Sequence, residues 1–219
     1  MIDFIQSETQ FFIFCLTTLF TLINPIGIAP LLLVMTERFS KQEKINIARK
    51  GSFTAFFTLI LFSILGSVIF NVFGITIEAF QIMGGILFFR NGLRMLEVKV
   101  GRSRTTPAEQ EESQESDDIA ISPIGIPLIA GPGAITAAML LSSQTQQFYS
   151  YVTLGLSIFL VLSLVYLILR NGDVLMNVLG TTGMRIIQRL MGLILLVIAV
   201  QFVINGAVSV ITPLISPSF

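Results

Sequence analysis

Two stretches of this 219-residue chain place prolines five residues apart around a glycine. One reads Asn24-Pro25-Ile26-Gly27-Ile28-Ala29-Pro30. The other reads Pro127-Leu128-Ile129-Ala130-Gly131-Pro132-Gly133-Ala134-Ile135-Thr136. Proline removes a helical N–H donor, and its ring clashes with the preceding turn. The residue ahead of it is pushed out of the α region. Each pair is therefore expected to unwind a helix locally. A half-helix starting at Pro30 or Pro132 would aim free N–H groups and a positive dipole end at the break, which suits a carboxylate. Carbonyls freed ahead of Pro25 and Pro127 suit an ammonium group or a coupling cation. Gly27, Gly131 and Gly133 let a small ligand approach the backbone, and Asn24 and Thr136 add neutral polar groups. Together these residues form a candidate binding site for a small zwitterionic solute.

Other chemistries lack their carriers. The chain has no His and a single Cys, Cys15, so imidazole bases, thiolate clusters and internal disulfides are excluded. No metal or cofactor is expected. Serines are present without a base to activate them, so no enzyme is expected. Thirteen Lys and Arg balance thirteen Asp and Glu, which leaves no basic surface for nucleic acid. No carboxylate lies well inside an apolar segment, so proton coupling by that route has no evident carrier.

The elements that hold the breaks must be membrane helices. Apolar residues make up 53% of the chain and charged residues 12%, against about a quarter in soluble domains. Six apolar segments are expected to span, at about 11–35, 48–70, 75–96, 119–142, 151–169 and 186–211. Runs such as Gly192–Val200 are apolar all round, unlike the alternation of a β-barrel strand. The first ten residues contain no Lys or Arg, so the first segment reads as a retained helix, not a signal peptide. Membrane lipid is the expected surrounding partner. All thirteen basic residues fall around the 1–2, 3–4 and 5–6 connections. The positive-inside rule then puts those loops in the cytoplasm and both termini outside. Residues 97–118 hold seven acidic residues and read as a solvated cytoplasmic linker. Gln201, Asn205 and Ser209 form one helical stripe, expected to hydrogen-bond between helices. Gly84, Gly85 and Gly192 are expected to allow close helix packing.

The linker separates two halves, 1–96 and 119–219, that echo each other. Asn71-Val72-Phe73-Gly74 recurs as Asn177-Val178-Leu179-Gly180, 106 residues later. Pro25-Ile26-Gly27-Ile28 matches Pro123-Ile124-Gly125-Ile126 at an offset of 98, whereas the proline pairs match at 102. The second register places both breaks deep in their segments. Three spans per half would invert the second half relative to the first, an arrangement of transporters. The expected fold is thus an all-α integral membrane protein of six transmembrane helices in two inverted three-helix repeats, with helices 1 and 4 broken by Pro and Gly.

Four stretches resemble the MarC family of six-span membrane proteins: NPIGIAPLLLVMT, FGITIEAFQIMGGILFFRNGLRML, PIGIPLIAGPGAIT and IQRLMGLILLVIAVQFVING. Ala130-Gly131-Pro132-Gly133 is the most specific segment. The resemblance covers nearly the whole chain and implies an inner-membrane location. It also implies transport of small neutral amino acids such as glycine or alanine. Two functional readings follow: a secondary transporter or exporter working at the two breaks, or a structural or regulatory membrane protein whose breaks serve packing. A channel is a third. Substrate, coupling ion, direction and oligomeric state stay open.

Overall fold

A computed structural model describes residues 2–97, 120–145 and 147–215, and every regular element among them is helical. In chain order they are α1 (Ile2–Ile23), α2 (Pro25–Met35), α3 (Lys41–Phe73), α4 (Ile77–Leu96), a π-helix π1 (Ala120–Ile129), α5 (Pro132–Ser143), α6 (Phe148–Arg170) and α7 (Gly172–Ile215). The acidic segment lies outside the described residues apart from Glu97, which caps the C-terminus of α4.

Local sequence chemistry sets the boundaries. Ser40 and Glu43 form a capping box at the start of α3: the Glu43 carboxylate accepts from the Ser40 N–H at 2.8 Å, and the Ser40 hydroxyl accepts from the Glu43 N–H at 3.4 Å. Gly74 ends α3 with φ 63°, and Thr76 starts α4 by accepting from the Ala79 N–H at 3.2 Å. Gly180, in the echoed motif, has φ 59° and interrupts α7. The repeated Asn-Val-x-Gly letters thus place a positive-φ glycine twice, with ψ 28° at Gly74 and −179° at Gly180, conformations glycine adopts without a Cβ clash.

Four helical stretches are long and apolar enough to cross a membrane: Glu8–Met35, Lys41–Gly66, Phe148–Arg170 and Thr182–Thr212. Two of the six expected spans do not reach that standard. Helix α4 has 20 residues but carries Glu78, Arg90 and Arg94. The fourth expected span is divided into π1 and the 12-residue α5. Large apolar side chains such as Phe53, Phe57, Leu61 and Ile64 of α3 point outward, which suits hydrocarbon and would be costly as a patch in water.

The tightest seam joins α4 to α7 in antiparallel fashion. A β-carbon on Gly85 would lie 2.7 Å from the Ala199 carbonyl oxygen. One on Gly92 would lie 3.0 Å from the Gly192 oxygen, and one on Gly206 2.8 Å from the Glu78 oxygen. Lipid gives helices little hydrophobic reason to associate, so small residues that let backbones touch supply the packing instead. The expectation for Gly85 and Gly192 is met here, and Gly84 faces Leu140 and Thr136 of α5. Phe88 and Phe202 close the seam edge-to-face at 5.4 Å.

Most of the other contacts also cross between the halves. Helix α3 packs on π1, α5 and α6, while α6 packs on α1 and α2. The Glu8 carboxylate of α1 accepts from the Ser150 and Thr153 hydroxyls of α6 at 3.0 and 2.9 Å. The polar stripe of α7 corrects an expectation. Gln201 donates to Asn205 within its own helix at 2.7 Å, and both side chains are exposed along with Ser209. A helical period identifies a face but not which neighbour covers it.

Candidate functional site

The first break is one residue wide. Asn24 alone adopts the left-handed region, with φ 51° and ψ 61°. Its N–H still donates to the Phe20 carbonyl at 2.9 Å, and its carbonyl accepts from Gly27 and Ile28 at 2.9 and 3.1 Å. Its side-chain oxygen also accepts from the Gly27 N–H at 3.2 Å. Asn24 is therefore the N-cap of α2, and Pro25 takes the first helical position, where its missing N–H costs nothing. This corrects the expected unwinding between Pro25 and Pro30. The half-helix starts at Pro25, and Pro30 lies inside α2. Pro30 still leaves the Ile26 carbonyl without its i+4 donor. Pro25 is buried, whereas Asn24, Gly27 and Pro30 are half-buried.

The second break is built differently. Residues 120–129 wind as a π-helix containing Pro127, whose peptide bond to Ile126 is cis. The Ala130 N–H closes it by donating to the Gly125 carbonyl at 2.9 Å. Gly131 is extended and forms the N-cap of α5 with no side-chain hydrogen bond, and Pro132 is again the first helical residue. The first backbone bond of α5 runs from the Ile135 N–H to the Gly131 carbonyl at 3.0 Å. The amides of Gly133 and Ala134 precede that bond, and both residues are buried. Thr136 is buried against Gly84. Pro127 and Pro132 are exposed, so these two candidates shape the break without lining its buried side.

The two breaks meet through neighbours. A β-carbon on Gly133 would lie 3.3 Å from Leu22 Cδ2, two residues ahead of Asn24, and 3.2 Å from Asn91 Nδ2 of α4. A β-carbon on Gly27 would lie 2.3 Å from Asn24 Nδ2 and 3.1 Å from Gln188 Nε2 of α7. Each break thus receives a carboxamide from another helix. Gln188 is only 7% exposed, and its Oε1 has no hydrogen-bond partner. Asn91 and Gln188 were not among the site residues expected from sequence. Their signal is a neutral amide inside an apolar helix, which is costly in lipid unless it faces protein. Among the described residues no three His, Cys, Asp or Glu side chains gather to hold a metal ion.

The start of α5 lies 107 residues after the start of α2, at Pro132 and Pro25. The start of α6 lies 107 residues after the start of α3, at Phe148 and Lys41. The positive-φ glycines, Gly74 and Gly180, are 106 apart. Neither of the two proline registers, 98 or 102, agrees with these boundaries. A pocket of about 210 Å³ lies at the far end of α5 from Gly131, between Phe70, Asn71, Ser142, Ser143, Thr145 and Tyr151.

These features define a class: a helical integral membrane protein with two interrupted helices whose breaks adjoin. The model of the MarC family integral membrane proteins matches residues 9–211, and the chain belongs to that family. It is similar to a UPF0056 membrane protein of Methanocaldococcus jannaschii, 36% identical over 203 residues that cover 91% of this chain and 97% of the relative. It is also similar to the UPF0056 membrane protein YvbG of Bacillus subtilis, 36% identical over 90% of this chain and 94% of the relative. A UPF0056 membrane protein of Aquifex aeolicus is 34% identical over 94% of this chain and 96% of its own length. No solved structure matches the chain.

Proposed function

We propose that this protein is a secondary transporter or exporter of small neutral solutes, small amino acids such as glycine or alanine, working by alternating access at the two broken helices. One observation carries the reading: the buried Gly133, in the first turn of α5 without a side-chain cap, lies against Leu22, beside the break between α1 and α2. Paired helix interruptions that adjoin are how membrane transporters present backbone groups to a polar ligand. The amides of Gly133 and Ala134 suit the carboxylate of the solute. The Ile26 carbonyl, left free by Pro30, suits its ammonium group or a coupling cation.

The reading includes six crossings, with α4 and the π1–α5 pair added to the four long apolar helices. It treats 1–96 and 119–219 as inverted repeats. The separations of 106 and 107 residues support this. So does reciprocal packing: the broken helix of each half lies on the long helix of the other, π1–α5 on α3 and α1–α2 on α6. The antiparallel α4–α7 seam is what a two-fold axis in the membrane plane would generate. With all basic loops cytoplasmic, both termini face outside across the inner membrane, and the pocket at the far end of α5 opens outward. The protein acts by binding and release, without covalent chemistry.

A structural or regulatory role is the second reading. It is favoured by Asn24, whose side chain caps α2 and so fills a donor that a ligand would need. Proteoliposomes separate the two. Counterflow of labelled glycine or alanine, lost on Gly133→Leu in a protein that still folds, supports transport. Wild-type vesicles that exchange neither solute in either direction leave the structural reading.

A further inference from the structure

The outward face of α7 carries polar groups that packing within the chain leaves over. Gly192, Ala199 and Gly206 turn to α4, so Gln201, Asn205 and Ser209 point away from the bundle and are exposed. A hydrocarbon core takes about 20 helical residues, and every stretch of that length within Thr182–Thr212 contains Gln201. Among the described residues of the four long apolar helices, the other exposed carboxamides, Gln10 and Gln42, lie in the first turn of their spans. Gln201 Nε2 donates to Asn205 Oδ1 at 2.7 Å, which uses one N–H and one oxygen of the pair. Further amide hydrogens and the second oxygen are left, and the same remains if both amides are reversed. Lipid at that depth supplies neither donors nor acceptors. Around the pair the face is apolar: Ile194, Val197, Ile204, Val208 and Ile211 are exposed, in alternating steps of three and four residues with Gln201. All five are β-branched and stiff at χ1, so packing costs them little side-chain entropy. No charged residue occurs in 190–215.

We propose that this face is the contact between two copies of the chain, related by a two-fold axis normal to the membrane. All copies of one chain insert with the same orientation, so two α7 helices meet in parallel. A two-fold axis then sets equal residues at equal depth. The carboxamides of one copy stand opposite those of the other, which hold both spare amide hydrogens and a spare oxygen, so the pair is its own complement. Steps of three and four residues are the spacing of a left-handed helix pair, and Gln201 is the polar position that fixes its register. No charge on the face opposes the approach. Such a dimer is independent of the transport reading.

Two measurements on the full chain in lipid vesicles test this. The axis sets each residue near it against itself, so single cysteines report the contact. Val197→Cys and Ile204→Cys should form disulfide-linked dimers under copper phenanthroline. Leu61→Cys, on the exposed face of α3, should stay monomeric. So should wild type, because Cys15 is buried. The second measurement is energy transfer between copies labelled separately with donor and acceptor dyes, followed as added lipid dilutes them. Gln201→Leu combined with Asn205→Leu should weaken dimerisation about tenfold, the loss expected for two interhelical hydrogen bonds. The melting temperature of that variant as a detergent-solubilised monomer should not fall, since both side chains point away from the bundle. The cysteine variants keep both carboxamides, so their answer does not depend on how the double variant folds. Three outcomes overturn the dimer: wild type that is monomeric at every dilution, cross-linking at Leu61 as strong as at Ile204, or unchanged dimerisation in the double variant. The first would mean that lipid or another protein covers the face.

Discussion

The two breaks begin their half-helices with the same device, a proline at the first helical position, and differ in the residue before it. Asn24 satisfies the start of α2 with its own side chain, within an otherwise regular α-helical path. Gly131 offers no side chain, follows a π-helix, and leaves the buried amides of Gly133 and Ala134 without a side-chain cap. One break is closed by its own cap residue, and the other has no side-chain cap. The lesson is that two helix interruptions with the same proline device can differ in whether their first amides are satisfied within the chain.

Asn24→Ala should break this comparison hardest. It removes the cap, worth about 1 kcal/mol, and places alanine in the left-handed region at a cost of about 1 kcal/mol more. Unfolding measured in detergent should show a loss of about 2 kcal/mol, and Asn24→Gly should recover most of it. If alanine and glycine are equally harmful, the strain at φ 51° is not a real component. Gly27→Ala comes next. Its β-carbon would sit 2.3 Å from Asn24 Nδ2, so the cap must move, and about 1 kcal/mol should be lost in the same measurement.

Gly131→Ser gives the second break the kind of cap the first has. Its stability should change little, because the new cap is offset by a contact of 3.0 Å with the Pro127 oxygen. Its glycine affinity in counterflow should fall about tenfold, since the serine hydroxyl would take a donor meant for ligand. An unchanged affinity would mean that the start of α5 does not bind the carboxylate. Gly133→Ala is the mildest. Its neighbours at 3.2 and 3.3 Å, Asn91 Nδ2 and Leu22 Cδ2, are side-chain ends that can yield. Stability should drop by less than about 1 kcal/mol.

Much of the fold was legible because its causes are local. The Asn-Val-x-Gly echo put positive-φ glycines at Gly74 and Gly180, and Thr76 capped α4 as its position invites. Gly85 and Gly192 read as packing residues and sit on backbone-to-backbone contacts. The breaks were visible only to within a few residues. A proline states that a donor is missing at its own position, but not which neighbour absorbs the turn. The helix starts set a different spacing from either proline register. The proline motifs match at 98 or 102, whereas the helix starts at Pro25 and Pro132 lie 107 apart. The stripe at Gln201 and Asn205 showed its period, yet it turned away from the bundle because the glycine seam claimed the opposite face of α7.

The sequence by itself determined the solvent and the weak points. Its excess of apolar residues requires lipid, and its prolines and glycines mark where helices cannot continue, since both effects act within a few bonds of the residue concerned. Only the tertiary structure decided what those weak points face. Leu22 against Gly133, Asn91 beside Gly133 and Gln188 over Gly27 join residues up to 161 positions apart, counting from Gly27 to Gln188. No local preference encodes such neighbours. They exist because the close approach of α4 to α7 and the crossed packing of the two halves bring distant backbone into contact.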